Sequence, residues 1–186
     1  METYNFDDSG NTPTNIADEF SNMTTEQIKS ALEVGRSGMI NVCMNLTSDF
    51  NKSSVIRSSN AFLGKEVILV GKRKFDRRGT VGAQHYETLK HSVEIEPVIE
   101  YLRENGYKIF AVDNIADYNP KAVYDVEMPE KTAFIYGEES NGLSREIIDM
   151  CDEMVYIPQY GSVRSINVAQ AASIMMSEYN RRHRTW

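Results

Sequence analysis

The apolar positions of the chain alternate between two periods. Short apolar or alternating runs at 39–46, 66–71 (EVILVG), 107–113, 131–136 and 153–157 predict strands. Between them the spacing lengthens to that of helices. Val55, Ile56, Ser59, Phe62 and Leu63 share one face of a helix over 51–63, with Gly64 as its C-terminal cap. Ile95, Val98, Ile99 and Leu102 mark a helix over 96–105, with Pro97 in its first turn and Gly106 after its end. Thr24-Thr25-Glu26-Gln27 fits a capping box ahead of a short amphipathic helix carrying Ile28, Ala31 and Leu32. Ser144 caps a helix running to Met150. A last helix over 166–182 places Val168, Ala172, Met175 and Tyr179 on one stripe. The polar, glycine-containing stretch 72–91 reads as a long loop with a short helical turn.

Strands separated by helices predict an α/β fold, with a mainly parallel sheet and helices on both faces. Residues 1–23, rich in Asp, Asn, Ser and Thr and lacking an apolar period, read as a flexible arm. Residues 24–186 read as one domain. The 186-residue length allows one ordinary core. No apolar run approaches membrane-spanning length, and the acidic first ten residues lack the basic and apolar regions of a signal peptide. Cys43 and Cys151 are isolated, without zinc spacing, and read as core or near-core thiols in a reducing, cytoplasmic setting. No metal site is expected.

A net charge of −7 argues against a generic nucleic-acid binder. Two local basic runs stand against it: Lys72, Arg73, Lys74, Arg77 and Arg78, and then Arg181, Arg182 and Arg184. Each is either a solvated face or part of a narrow binding stripe.

Ligands of open α/β sheets bind beyond the carboxyl ends of strands, and three such ends here lead into unusual polar loops. After the strand ending at Tyr136 come Gly137, Glu138, Glu139, Ser140, Asn141, Gly142, Leu143 and Ser144. Its glycines permit a sharp turn and the close approach of a ligand; a plain strand–turn–helix connection with two solvated acids fits as well. After Ile157-Pro158 come Gly161, Ser165, Ile166 and Asn167 at the start of the last helix, where Ser165 either caps that helix or holds a substrate. Asn51 and Arg57 lie at the start of the 51–63 helix, which Asn51 can cap. There is no GxGxxG, no GxxxxGK[ST] and no Ser/His/Asp order.

Taken in order, the three loops resemble the signature motifs of the SpoU/TrmH branch of the SPOUT methyltransferases. The first motif is matched by Asn51 and Arg57. The second is matched by Gly137, Glu139, Gly142, Leu143 and Ser144, and the third by Ile157, Pro158, Gly161, Ser165, Ile166 and Asn167. The similarity covers about 39–182. Arg78-Gly79-Thr80-Val81-Gly82-Ala83-Gln84-His85 and the string IPQYGSVRSIN resemble, more narrowly, the eukaryotic tRNA-guanosine ribose methyltransferases. Glu138 and Ser58 depart from the common pattern.

The resemblance implies a deep C-terminal trefoil knot, a homodimer and bent S-adenosyl-L-methionine held largely by backbone at Gly137, Ile157 and Ile166. It implies transfer of the methyl group to a ribose 2′-hydroxyl of RNA, tRNA foremost, with a D-loop guanosine as one target. The catalytic set it carries over is Arg57, Asn51, Glu139, Ser165 and Asn167. Asn51 and Asn167 would orient Arg57, Ser165 would sit beside the ribose, and Glu139 would shape the site. Alternatives are an rRNA 2′-O-methyltransferase, a base methyltransferase on the same fold, and an RNA-binding or assembly factor that has lost turnover. The acidic total leaves room for an accessory protein.

Overall fold

The computed structural model describes residues 1–4 and 15–185. Among these, eight strands form one sheet in the order β1-β4-β3-β2-β7-β5-β8-β6. The strands are β1 (Glu2–Thr3), β2 (Ile40–Met44), β3 (Glu66–Val70), β4 (Leu89–Ser92), β5 (Lys108–Val112), β6 (Lys121–Ala122), β7 (Thr132–Tyr136) and β8 (Glu153–Tyr156). The helices are α1 (Thr25–Gly35), α2 (Asp49–Ala61), α3 (Arg77–Thr80), α4 (Glu96–Glu104), α5 (Arg145–Asp149) and α6 (Val168–His183). All pairings are parallel except β1 with β4.

Period-two alternation within the strands divides the core into two layers. Phe134 and Tyr136 of β7 face α2 and α6, packing with Val55, Ile56, Met175 and Tyr179. Ala133 and Ile135 face the other way, toward Val98, Ile99 and Leu102 of α4 and Ile148 of α5. Both faces of the central strands are therefore covered, as their continuous apolar runs required. None of the helices is long and apolar enough to cross a membrane.

The chain runs outward through β2, β3 and β4, then jumps back past β2 and β7 to β5. This reversal opens a crevice beyond the carboxyl ends of β7, β5 and β8. The helix caps aim the side chains that border it. Ser48, not Asn51, caps α2, its hydroxyl accepting from the Asn51 N–H at 3.3 Å. Asn167, not Ser165, caps α6, accepting from the Ala169 N–H at 2.9 Å. Asn51 thus sits inside the first turn, with its amide turned elsewhere. The capping box at Thr24 and Gln27 forms as its sequence required.

Four readings of the sequence need correcting. The stretch 72–91 is not one loop: it holds α3, a 3-10 turn at 83–85 and strand β4. Polar residues hid β4 because their groups are satisfied inside the fold. Lys90 pairs with Glu66 at 2.9 Å over the Tyr101 ring, and His91 meets the Gly71 carbonyl at 2.8 Å. Second, Glu2–Thr3, assigned to the arm, form an edge strand on β4, and the Tyr4 N–H donates to the Leu89 carbonyl at 3.0 Å. Positions 5–14 of that arm lie outside the described residues. Third, Leu63, with φ +53°, takes the left-handed turn after α2 that Gly64 was expected to supply. Gly64 is instead needed for packing, since a Cβ there would lie 2.4 Å from the Ser59 Oγ.

Fourth, the C-terminal basic run is largely spent inside the fold. Arg182 donates to the carbonyls of Val123 (2.8 Å), Tyr124 (3.2 Å) and Val126, and pairs with Glu178 at 2.8 Å. Arg184 donates to the Gly35 carbonyl at 2.7 Å, and His183 meets the Met128 carbonyl at 2.9 Å. The run fastens α6 to the 123–128 segment.

Glu87 sets a pH dependence for the fold. Its carboxylate is buried against Arg36 (3.4 Å), Ser59 (3.1 Å) and Asn60 (3.3 Å). Burial outweighs these partners and pushes its pKa up to about 7 from an ordinary 4.5. The neutral form is then favoured in the folded state. The resulting stability is complete below about pH 4.5 and is lost as pH rises through about 7. The melting temperature of Glu87→Gln should vary less than that of the parent across this window. A constant offset between the two at every pH would contradict it.

Candidate active site

The crevice is a cavity of about 610 Å³, within the range of small-molecule sites. Four segments wall it: the end of β5 (Val112 to Ile115), the loop after β7 (Gly137 to Gly142), the loop after β8 (Ile157, Gln159, Arg164 to Asn167) and the start of α6. All three positions expected to hold a cofactor, Gly137, Ile157 and Ile166, line it, as do Glu139, Ser165 and Asn167.

The two glycines of the β7 loop are constrained in different ways. Gly142 turns with φ +68°, in the left-handed region that glycine accepts without strain. Gly137 packs against the return of its own loop: a Cβ on it would lie 2.3 Å from the Gly142 carbonyl carbon and 2.5 Å from the Leu143 nitrogen. The loop closes on itself through the Gly142 N–H donating to the Glu138 carbonyl at 3.1 Å. Asp113, at the end of β5, buttresses it, accepting from the Leu143 N–H at 2.9 Å. On the other side Asn114 donates to the Arg164 carbonyl at 3.0 Å, tying the β8 loop to the same wall.

At the mouth, three residues from three distant segments meet. The Glu139 carboxylate accepts from the Asn51 amide at 2.7 Å and from the backbone N–H groups of Thr47 (2.8 Å) and Ser48 (3.1 Å). The Asn51 carbonyl oxygen accepts from the Asn167 amide at 3.1 Å. Asn167 spends its own oxygen on the α6 cap, so the chain of donors has one direction. Partial burial pushes the Glu139 carboxyl up, but the hydrogen bonds from Asn51, Thr47 and Ser48 hold it below the ordinary carboxylate value. A carboxylate anchored by three N–H donors is a fixed anion and a poor proton acceptor. Glu139 therefore orients Asn51 and, through it, Asn167.

The structure does not bring every expected residue into this network. Arg57 lies on exposed α2 surface, six residues and about 9 Å further along the helix axis than Asn51. It has no hydrogen bond or ion pair among the described residues, so neither Asn51 nor Asn167 is hydrogen-bonded to it. Ser165 is exposed on the cavity rim without a hydrogen bond among the described residues.

Asp113 and Gln159 were not singled out from the sequence. Asp113 is one carboxylate after a strand, and only the β5–β7 register brings it to Leu143. Gln159 lines the cavity with its side-chain carbonyl oxygen buried and unpartnered among the described residues.

Glu139→Gln should lower turnover at least about tenfold, because its amide must turn an N–H toward the Thr47 N–H or toward the Ser48 and Asn51 donors, and either way Asn51 loses its charged acceptor. The fold should lose no more than about 1 kcal/mol, or about 2–4 °C of melting temperature, since the group sits at an exposed mouth. Wild-type turnover in a folded Glu139→Gln protein would remove its orienting role.

Comparison with known proteins assigns the chain. The model of the SpoU rRNA Methylase family matches residues 38–177. A Staphylococcus haemolyticus protein assigned to the TrmH family of tRNA/rRNA methyltransferases is 31% identical over 147 residues, covering 74% of this chain and 57% of that protein. The chain thus spans little more than half the length of that relative. The SpoU methyltransferase AviRb of Streptomyces viridochromogenes, solved in complex with AdoMet, superposes with a TM-score of 0.70 at 25% identity, over 80% of this chain and 59% of that one. The A. aeolicus TrmH/SpoU tRNA modifying enzyme shares the fold with a TM-score of 0.77 at 21% identity, over 86% and 82% of the two chains. With the three motif loops on the expected strand ends and the family match spanning all of them, the chain is a member of the SpoU rRNA Methylase family.

Proposed function

We propose that this protein is an S-adenosyl-L-methionine-dependent RNA methyltransferase that acts on a ribose 2′-hydroxyl, with tRNA as the favoured substrate. The observation that carries this is the Asn51–Glu139–Asn167 network at the mouth of a cavity lined by Gly137, Ile157 and Ile166.

The cavity fits the cofactor. Its volume suits a nucleoside-sized ligand, and Gly137, Ile157 and Ile166 stand in its walls. The buried, unpartnered Gln159 oxygen matches an amino donor. When bound, the cofactor supplies a methyl group on a sulfonium, already a good leaving group. The protein's task is then to place the 2′-hydroxyl and to ease loss of its proton. Asn51 and Asn167, fixed by Glu139, hold the rim where the ribose enters, and Ser165 stands beside it. The Arg57 guanidinium only donates hydrogen bonds and cannot accept the proton. Its exposed guanidinium instead pairs with a phosphate of the RNA and stabilises the oxyanion as the proton leaves, the phosphate acting as acceptor.

A homodimer with its site completed across the interface, a trefoil knot in the C-terminal part of the chain and an accessory protein that helps choose the RNA belong to the same proposal.

Alkaline hydrolysis of treated tRNA distinguishes ribose from base chemistry. A 2′-O-methyl group removes the nucleophile for strand cleavage, so one step of the ladder should disappear. A methylated RNA with an unbroken ladder would assign base methylation instead.

A further inference from the structure

We propose that the face formed by α2 and the 72–78 loop docks the phosphate backbone of the RNA, a proposal that rests on the RNA methyltransferase reading above. In a chain of net charge −7, Lys72, Arg73, Lys74, Arg77 and Arg78 follow one another on the loop beside α2, opposed locally by Asp49, Asp76 and Glu2.

The loop is held rigidly in place. Lys52 is 1% exposed, and its ammonium donates to the carbonyls of Lys72 (3.1 Å) and Lys74 (2.6 Å) while pairing with Asp49 at 3.1 Å. Burying a cation is costly unless its partners are well placed. The same loop is pinned at its far end, where the Ser53 hydroxyl donates to the Asp76 carbonyl at 2.5 Å. Gly79 packs so closely that a Cβ would lie 2.7 Å from the Ser53 Cβ. The backbone of the basic run is therefore fixed on α2, with its cationic side chains toward solvent.

Lys72 and Arg78 remain available to a ligand. The Arg78 side chain is 89% exposed in its pair with Asp76, and Lys72 is 52% exposed in its pair with Asp49. Exposed pairs of this kind contribute little and yield to a polyanion. The C-terminal basic run, by contrast, is occupied by backbone carbonyls and Glu178. The face is also continuous with the site. Ser48 and Asn51 bind Glu139 on one side of the first turn of α2, and Asp49 binds Lys52 and Lys72 on the other. RNA lying along the loop would reach the cavity mouth over the first turn of α2.

The test is fluorescence anisotropy of the full chain with a fluorescein-labelled, unmodified tRNA transcript, alongside methyl transfer to that transcript. Lys72→Ala/Lys74→Ala/Arg78→Ala should weaken binding about tenfold or more at near-physiological salt. It should also flatten the dependence of log affinity on log salt by about 2 to 3. Lys29→Ala, an exposed cation of α1, should leave the affinity unchanged. Lys74→Glu alone should show the same loss on a smaller scale if the triple variant does not fold. Wild-type affinity in both loop variants, with methyl transfer intact, would overturn the docking face and leave the methyltransferase reading standing. A parent chain that neither binds nor methylates RNA would overturn both. If the loop variants lose self-association in sedimentation but keep RNA affinity, the face is a contact between copies of the chain, and the proposal fails.

Discussion

Arg57→Ala is expected to lower methyl transfer to RNA by about 10²- to 10⁴-fold, the range over which a positioned proton-transfer group acts. Cofactor affinity should stay within about twofold, because Arg57 does not line the cavity. The side chain is exposed and has no intramolecular partner among the described residues, so its removal leaves nothing buried and unsatisfied. The unfolding midpoint should therefore move by less than about 0.5 kcal/mol equivalent. This pattern, a lost rate in an unchanged scaffold, separates a group that acts on substrate from one that holds the loop together. Arg57→Lys keeps the charge but not the planar fork that pairs with phosphate, and should recover only part of the rate. Calorimetric titration with cofactor, followed by single-turnover kinetics on saturating RNA, reads both quantities. Near-parental turnover in Arg57→Ala would move the proton-transfer role elsewhere.

Gly137→Ala should act through the opposite route. The added methyl meets backbone atoms of Gly142 and Leu143 at 2.3–2.6 Å, and neither can rotate away as a side chain would. The loop must shift, breaking the closure at Glu138 and Gly142 and the anchor to Asp113. Overpacking of this kind costs about 1–3 kcal/mol, or roughly 2–12 °C at this chain length. Because the same loop walls the cavity, cofactor affinity should fall tenfold or more. Gly161→Ala is the matched control: a Cβ there meets nothing within 4 Å, so its melting temperature should stay close to that of the parent. A Gly137→Ala protein with parental stability and cofactor affinity would show that the loop is more pliable than its contacts indicate.

The elements most legible in the sequence are those that local chemistry specifies. The apolar strands β2, β3, β5, β7 and β8, the helices flanking them, the Thr24 capping box and the glycine turn at Gly142 are each marked within a few residues. The motif loops fall at strand ends because the strands that precede them are evident. What the sequence conceals is set by partners far along the chain. Lys90 and His91 read as loop residues, yet Glu66 and the Gly71 carbonyl make a strand of them. Lys52 is a cation in the first turn of α2, yet it is buried beneath the basic loop. Asp113 carries no motif, and its role appears only where β5 lies beside β7. Asn51 and Asn167, 116 residues apart, were expected to orient Arg57, but the structure joins them to each other and to Glu139.

The most direct measurement mixes the purified chain with methyl-labelled S-adenosyl-L-methionine and unmodified tRNA or rRNA fragments, then digests the RNA to nucleosides. Label recovered in a 2′-O-methyl nucleoside, from tRNA more than from rRNA, is the expected result. Label in a methylated base, or none in any RNA while the cofactor is still bound, would contradict it.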